Sequence, residues 1–390
     1  MNSKVTSISK FISSRNEINA ADVANVLVQN DAAKLFVDLT FSDAVISWQK
    51  QHGRHTLPWQ NTRDPYLVWL SEVMLQQTQV TAVIPYYQKF MLRFPDVHSL
   101  AEASSEEVMA HWSGLGYYNR AHNLHRCAKR VVAEYGGVFP RDPLILEDLP
   151  GIGRSTAAAI AAFSYGVRAA ILDGNVKRVF ARVFGIDGYP GAKQIEMPMW
   201  HRAVALLPEH GVESYTQGLM DLGATICTRS KPSCTSCPLA QRCVALAADR
   251  VTQLPVRKPK KVIPEKQTGM FVIVDRDHVM LEQRRDSGIW GGLLSLPEFD
   301  MAQDIAFSVA RVTAPFGAVA SCEPLQSFLH VFTHFKLHIF PFEIKLVHRL
   351  NTAAQSSHIW YSADKLADAP LPAPVKKLLL AVFRQADLFA

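Results

Sequence analysis

The chain of 390 residues is 48% hydrophobic and 19% charged, which supplies apolar content for sizeable cores and length for two or three domains. No apolar run approaches the roughly 20 residues of a membrane span, so a membrane partner is excluded from the reading and a cytoplasmic protein is expected. A formal charge of +6 favours an anionic partner such as nucleic acid without requiring one.

Residues 1–40, with the serine-rich and acid-poor opening "MNSKVTSISKFISSRNEINA", read as an N-terminal extension. From Phe41 to about Ala248 the apolar period is helical, broken by Asp64-Pro65, by Gly136-Gly137 and by Pro-Gly pairs. Residues 41–226 are therefore expected to form an all-helical domain. Asp64-Pro65 is a strong helix start, and on the helix that follows Val68, Glu72 and Leu75 share one face while Leu70, Val73 and Met74 pack beside them. Burial there would keep the Glu72 carboxyl protonated and fit to act as a general acid, with a structural salt bridge as the alternative. Gln76 and Gln77 close that helix with side chains that both donate and accept hydrogen bonds.

In "GLGYYNRAHNLH", glycines flank Leu115 and bring Tyr117 onto a turn, which favours exposure of both side chains over burial in a core. In "LPGIGRSTAAAIAAFSYG", Gly151 and Gly153 bracket one apolar residue before a helix of small side chains. Such a turn presents backbone N–H groups to a phosphate in the helix-hairpin-helix manner, although it also serves plain tight packing. Further on, Asp173 in "ILDGNVKRVFARVF" is placed to cap a basic helix and to remain ionised beside a neutral Glu72.

Cys227, Cys234, Cys237 and Cys243 are separated by six, two and five residues in a loop over 227–249. Four thiolates at this spacing hold either zinc or a 4Fe-4S cube, and the ligands alone leave the choice open. Cys127 and Cys322 stand alone and read as packed thiols. Residues 250–266 carry three prolines and six basic residues against one acid and read as an interdomain linker. Beyond it the period changes to two, so residues 267–390 are expected to form a smaller α+β domain. The run "FLHVFTHFKLHIFPFEI" alternates like strands, and on one extended strand His330, His334 and His338 would stand too far apart to share an ion.

Together, "TLPWQ", "LSEVMLQQTQV", "GLGYYNRAHNLH", "LPGIGRSTA", "LDGNVKRV" and the cysteine loop resemble the MutY-type adenine DNA glycosylases, a branch of the endonuclease III-like helix-hairpin-helix superfamily. The resemblance runs from about Phe41 to the C-terminus. It implies a monomeric enzyme that flips adenine out of double-stranded DNA, opposite 8-oxoguanine or guanine, and hydrolyses its glycosidic bond. It also implies a 4Fe-4S cluster on the four cysteines and a Nudix-like end domain that recognises the oxidised base.

Carried onto matching positions, the resemblance makes Glu72 the proton donor to adenine, Asp173 the stabiliser of the sugar cation and Asn175 an orienting group. Gln76 and Gln77 would enter the base stack, with Leu115 and Tyr117 as a second wedge. Gly151, Gly153 and Lys177 would meet phosphate. Ser155 stands at the catalytic position where bifunctional relatives carry a lysine, which implies a glycosylase without strand cleavage. Phe332, Thr333 and His334 match the family's Phe-Ser-His loop, with threonine in place of serine. The stretch "GIWGGLLSLPEF" is Nudix-like, but no acidic run follows it that could bind magnesium. Two rival readings are a bifunctional endonuclease III-like enzyme, against which Ser155 and the end domain argue, and a non-catalytic zinc-ribbon DNA-binding protein, which would leave Glu72 and Asp173 without a task.

Overall fold

The computed structural model describes residues 39–259, 262–285, 288–350 and 358–387. The expected extension over 1–40 lies almost wholly outside them. The helical region runs α1 (Leu39–His52), α2 (Pro65–Leu75), α3 (Val80–Arg93), α4 (Val97–Glu102), α5 (Ser105–Trp112), α6 (Asn119–Tyr135) and α7 (Pro143–Glu147). It continues with α8 (Arg154–Tyr165), α9 (Gly174–Val183), α10 (Lys193–Ala205) and α11 (Val212–Asp221). Starts follow local chemistry: the Asp64 carboxylate accepts from the Tyr66 N–H at 2.9 Å with Pro65 in the first turn, and Asp173 accepts from the Val176 N–H at 2.8 Å.

Two apolar cores divide this region. In the first, Trp69 meets Phe139 at 5.1 Å, and Phe90 lies between Phe94 at 4.7 Å and Trp112 at 6.1 Å. The second gathers Phe41, Phe180 and Tyr215, with Phe41 and Phe180 edge to face at 6.0 Å. Helix α8 belongs to both: Ala157, Ile160 and Ala161 face the first core, and Ala158, Ala159 and Ala162 the second. Its small side chains are what let neighbours close on two sides of one helix. No helix among the described residues is long and apolar enough to cross a membrane.

The linker is less free than its composition suggests. Buried Arg182 donates to the carbonyls of Val251 at 3.0 Å and Leu254 at 2.9 Å, tying the linker's start to α9. Its far end is already strand, because β1 begins at Glu265. The end domain is built on β1 (Glu265–Asp275), β2 (His278–Gln283), β3 (Leu294–Ser295), β4 (Glu298–Phe299), β5 (Val319–Pro324), β6 (Phe328–Val331), β7 (Lys336–Leu346) and β8 (His358–Ser362), with helices α12 (Ile305–Thr313) and α13 (Ala373–Asp387). Strands β1 and β7 pair in parallel and the remaining pairs are antiparallel. Alternation along β1 sends Met270, Val272 and Val274 to one face and Phe271 and Ile273 to the other.

The run from 328 to 346 is not one extended strand but a hairpin, in which β6 and β7 pair antiparallel with His330 opposite Leu337 and Leu329 opposite His338. The three histidines are nonetheless committed elsewhere. His338 bonds Glu265 at 2.8 Å, His330 packs on Trp290 and Phe332, and His334 stands at the tip.

The end domain joins the helical one through apolar packing, since the first core continues into Met270, Trp290 and Leu371, and through polar contacts. The Ser113 hydroxyl donates to the Leu371 carbonyl at 3.0 Å and His122 Nε2 donates to the Gly291 carbonyl at 3.1 Å. Because Phe90 is fully buried whereas Asp64 only caps a helix, Phe90→Ala is expected to cost ~3–5 kcal/mol and Asp64→Ala ~1 kcal/mol. Urea midpoints of the two variants check that order.

Candidate active site and its surroundings

A cleft of about 740 Å³ opens between the two cores, within the size range of small-molecule sites. Helix α2 supplies one wall with Val68, Glu72 and Leu75, and Trp59 and Gln60 of the "TLPWQ" loop line it as well. Phe163, Glu213 and Gln217 approach from α8 and α11. Trp59 is fixed edge to face on Tyr87 at 5.4 Å. The far wall is fastened by Arg54, whose backbone N–H and Nε donate to the buried Asp221 carboxylate at 2.9 and 2.7 Å. Gln217 donates to the same carboxylate at 2.8 Å. Sequence reasoning missed Arg54 and Asp221, since a distant arginine and aspartate carry no pairing signal.

Glu72 lies deep in the fold and keeps only partial contact with solvent through the cleft. Burial pushes its carboxyl up to about 8, with the charge of Asp173 adding to the rise. Asp173 is not, as expected from sequence, simply an ordinary ionised acid. Burial raises it too, against the pull of the Val176 and Asn175 N–H groups and of Arg178 and Lys177. The N–H groups and cations that favour an ionised carboxylate act on Asp173 and not on Glu72, so Asp173 loses its proton first and Glu72 holds its own longer.

Asp173 does not itself line the cleft. Its neighbours Ser155, Leu172 and Lys177 line a shallower groove of about 560 Å³ that begins at Gln76, one turn beyond Glu72. There the Ser155 hydroxyl accepts from the Leu172 N–H at 2.9 Å, pinning the residue just before Asp173. The Asn175 amide oxygen accepts from Arg178 at 2.8 Å, and a Cβ on Gly223 would fall 2.4 Å from the Asn175 Cβ, so only glycine fits beside it. Lys177, expected to meet phosphate, is instead ion-paired with Glu196 of α10 at 2.7 Å. The Gly151–Gly153 turn is exposed at both glycines, with Gly151 at φ +78° and no side chain capping α8.

The two expected wedges stand on separate turns. Gln76 is half-buried and its amide reaches the Thr156 hydroxyl at 3.4 Å, whereas Gln77 is exposed. Of the other pair, Tyr117 is 44% exposed but Leu115 only 7%. This corrects the expectation that flanking glycines expose both: Gly114 and Gly116 take φ of +100° and +72°, and the turn they make folds Leu115 inward.

At the end domain, residues 332–335 form the β6–β7 turn, closed by a bond from the Phe332 N–H to the Phe335 carbonyl at 2.9 Å. Phe332 stacks on Phe335 at 4.5 Å and leans on Trp290 at 5.5 Å, while Thr333 and His334 are exposed at the tip. Trp290 was not singled out from sequence.

Cys227, Cys234, Cys237 and Cys243 line one small apolar cavity, and none is disulfide-bonded. Among the described residues no three His, Cys, Asp or Glu side chains are grouped to hold a single metal ion. Arg182 approaches the Cys227 sulfur at 3.3 Å, and burial pushes the Cys237 thiol up to about 11. A cationic guest is what would draw off those protons. Four thiols around one cavity are a donor set that can hold zinc or an iron-sulfur cluster. Cys127 is fully buried, as expected of a packed thiol.

Comparison with known proteins agrees in extent with this architecture. Residues 70–203 match the model of the HhH-GPD superfamily base excision DNA repair proteins, and residues 269–381 match a NUDIX domain. The adenine DNA glycosylase of Buchnera aphidicola subsp. Acyrthosiphon pisum (strain APS) is 38% identical over 341 residues, covering 87% of this chain and 96% of that protein. That of Mus musculus is 31% identical over 424 residues, covering 93% and 81%. The likeness thus runs along almost the whole length of the chain, through both the helical region and the end domain, and the chain belongs to the adenine DNA glycosylase family of base excision repair enzymes.

Proposed function

We propose that this chain acts on double-stranded DNA as a monomer, in the cytoplasm, and excises adenine opposite 8-oxoguanine or guanine by hydrolysis without strand cleavage. One observation carries the reading: a carboxyl that keeps its proton near neutral pH, Glu72, lines the cleft beside a more acidic partner, Asp173. Adenine inside a duplex cannot be reached, so the base is swung into the cleft while Gln76, Gln77 and Tyr117 hold the opened stack, with buried Leu115 backing the turn that carries Tyr117. Glu72 then protonates the purine ring to make it a leaving group. As the bond lengthens the sugar becomes oxocarbenium-like, and anionic Asp173, on the loop held by Ser155 and Asn175, stabilises that charge.

Ser155 has no amine to attack the sugar, and its hydroxyl is engaged with Leu172, which supports hydrolysis alone. Gly151 and Gly153 offer backbone N–H groups to phosphate. Lys177 would join them only after exchanging Glu196 for a phosphate oxygen. Phe332, Thr333 and His334 would read the oxidised base from the end domain. Cys227, Cys234, Cys237 and Cys243 would hold a 4Fe-4S cluster, which when bound fixes the loop that carries Arg229, Lys231 and Arg242.

Glu72→Gln is expected to lower single-turnover excision by ~10²- to 10⁴-fold while mispair binding stays largely intact, and normal adenine release by that variant would refute the assignment. In the wild type, excision should fall about tenfold per pH unit above about 8. Stability follows the same group. Its folded pKa lies above the unfolded one, so the cost of burying it is absent below about 4.5, grows as pH rises to about 8 and then levels off. Glu72→Gln should therefore stabilise the fold by ~1–3 kcal/mol near pH 8 and by almost nothing near pH 4, as read by urea midpoints. Purified protein should absorb near about 400 nm and lose most of that colour in Cys237→Ser. A colourless wild type carrying one zinc would sink the cluster.

A further inference from the structure

Arg120, in the first turn of α6, is only 9% exposed and takes no part in the chemistry above. Its Nη1 donates to the carbonyls of Val73 at 3.0 Å, Met74 at 2.8 Å and Gln76 at 2.7 Å. Its Nη2 reaches the Thr78 hydroxyl at 3.1 Å and the carbonyls of Leu115 at 3.4 Å and Gly116 at 3.3 Å. One guanidinium therefore joins the end of the Glu72 helix, the Gln76–Thr78 turn and the Leu115–Tyr117 turn. Its face also lies over the rings of Trp112 at 5.2 Å and Tyr117 at 5.4 Å.

The backbone shows why such a tie is needed. Gln77 has φ +58° and Tyr117 φ +48°, left-handed conformations that side-chain-bearing residues rarely hold. Each follows directly on a carbonyl that Arg120 grips, that of Gln76 and that of Gly116. The arrangement has a cost, since the buried Nε–H has no partner. A planar fork with five donors can span both turns, whereas the three donors of a lysine radiate from one point and cannot.

We propose that Arg120 is a positioning residue that locks the Gln76–Gln77 and Leu115–Tyr117 turns into one rigid two-pronged wedge, so that opening of the base stack depends on it. The inference rests on the excision reading above. It assigns Arg120 to the flipping step and leaves proton transfer to Glu72.

The test uses full-length wild type and Arg120→Lys on duplexes carrying adenine, or fluorescent 2-aminopurine in its place, opposite 8-oxoguanine. Melting temperature and visible absorbance report folding. We expect folded Arg120→Lys to bind matched duplex within ~3-fold of wild type and to lose more than about half of the 2-aminopurine fluorescence rise. Single-turnover excision should slow by at least ~30-fold, with the alkaline limb of its pH profile still near 8 because Glu72 is untouched. A folded variant that excises at the wild-type rate, or that excises slowly with a full fluorescence rise, overturns the proposal. Should Arg120→Lys fail to fold, Thr78→Val removes a single acceptor and is expected to give a ~3- to 10-fold loss in the same two readouts. No change in either would equally overturn it. If wild type itself releases no adenine, the excision reading fails, an outcome separate from any difference between wild type and variant.

Discussion

The whole arrangement depends on keeping water and cations away from one carboxyl. Each unit by which Glu72 is raised reflects about 1.4 kcal/mol of preference for its neutral form, and the rise from 4.5 to about 8 is set first by burial. An arginine beside Glu72 would reverse it. Three of the nearby cations are engaged elsewhere: Arg54 with Asp221, Lys177 with Glu196, Arg178 with Asn175 and the Gly223 carbonyl. Two cores sharing α8 create the condition, because a cleft between two apolar masses is deep without being closed.

The same logic separates the two acids. Asp173 is buried as well, but it sits at the start of α9, where the N–H groups of Val176 and Asn175 point at its oxygens and Arg178 and Lys177 lie close by. Glu72 lies mid-helix, where the backbone N–H groups are already spent within α2. Helix position thus decides which acid surrenders its proton first. Arg178 carries the arrangement further: besides Asn175 it donates to the Cys227 carbonyl at 2.7 Å, so the cysteine loop and the Asp173 loop brace each other.

Much of this was legible in the sequence wherever the signal was local. The Asp64-Pro65 start, the face shared by Val68, Glu72 and Leu75, the Gly151–Gly153 turn and the period-two strands depend on near neighbours along the chain, and the expected elements stand there. What escaped were partnerships between distant segments. Asp221 for Arg54 and Glu196 for Lys177 have no local signature. The inward fold of Leu115 depends on the φ signs of two glycines, and glycine permits either sign. The turn at 332–335 coincides with the loop that the resemblance implied, but alternation of apolar residues continues through the reversal, so periodicity alone cannot locate it.

The end domain is fastened to the same helix that carries Arg120. His122, two residues beyond Arg120 on α6, donates to the Gly291 carbonyl, and Gly291 follows Trp290, whose ring supports Phe332. Trp290 holds φ +57°, so its loop is constrained at the residue that bears on the Phe332 turn. One end of α6 therefore anchors the Gln76–Thr78 and Leu115–Tyr117 turns through Arg120 and the loop beneath Phe332 through His122. If Phe332, Thr333 and His334 contact the base opposite adenine, a shift of that turn would be felt first at the helix end that holds the wedges. Recognition of one base and displacement of the other would then share a mechanical support, which two domains joined only by a flexible linker could not provide.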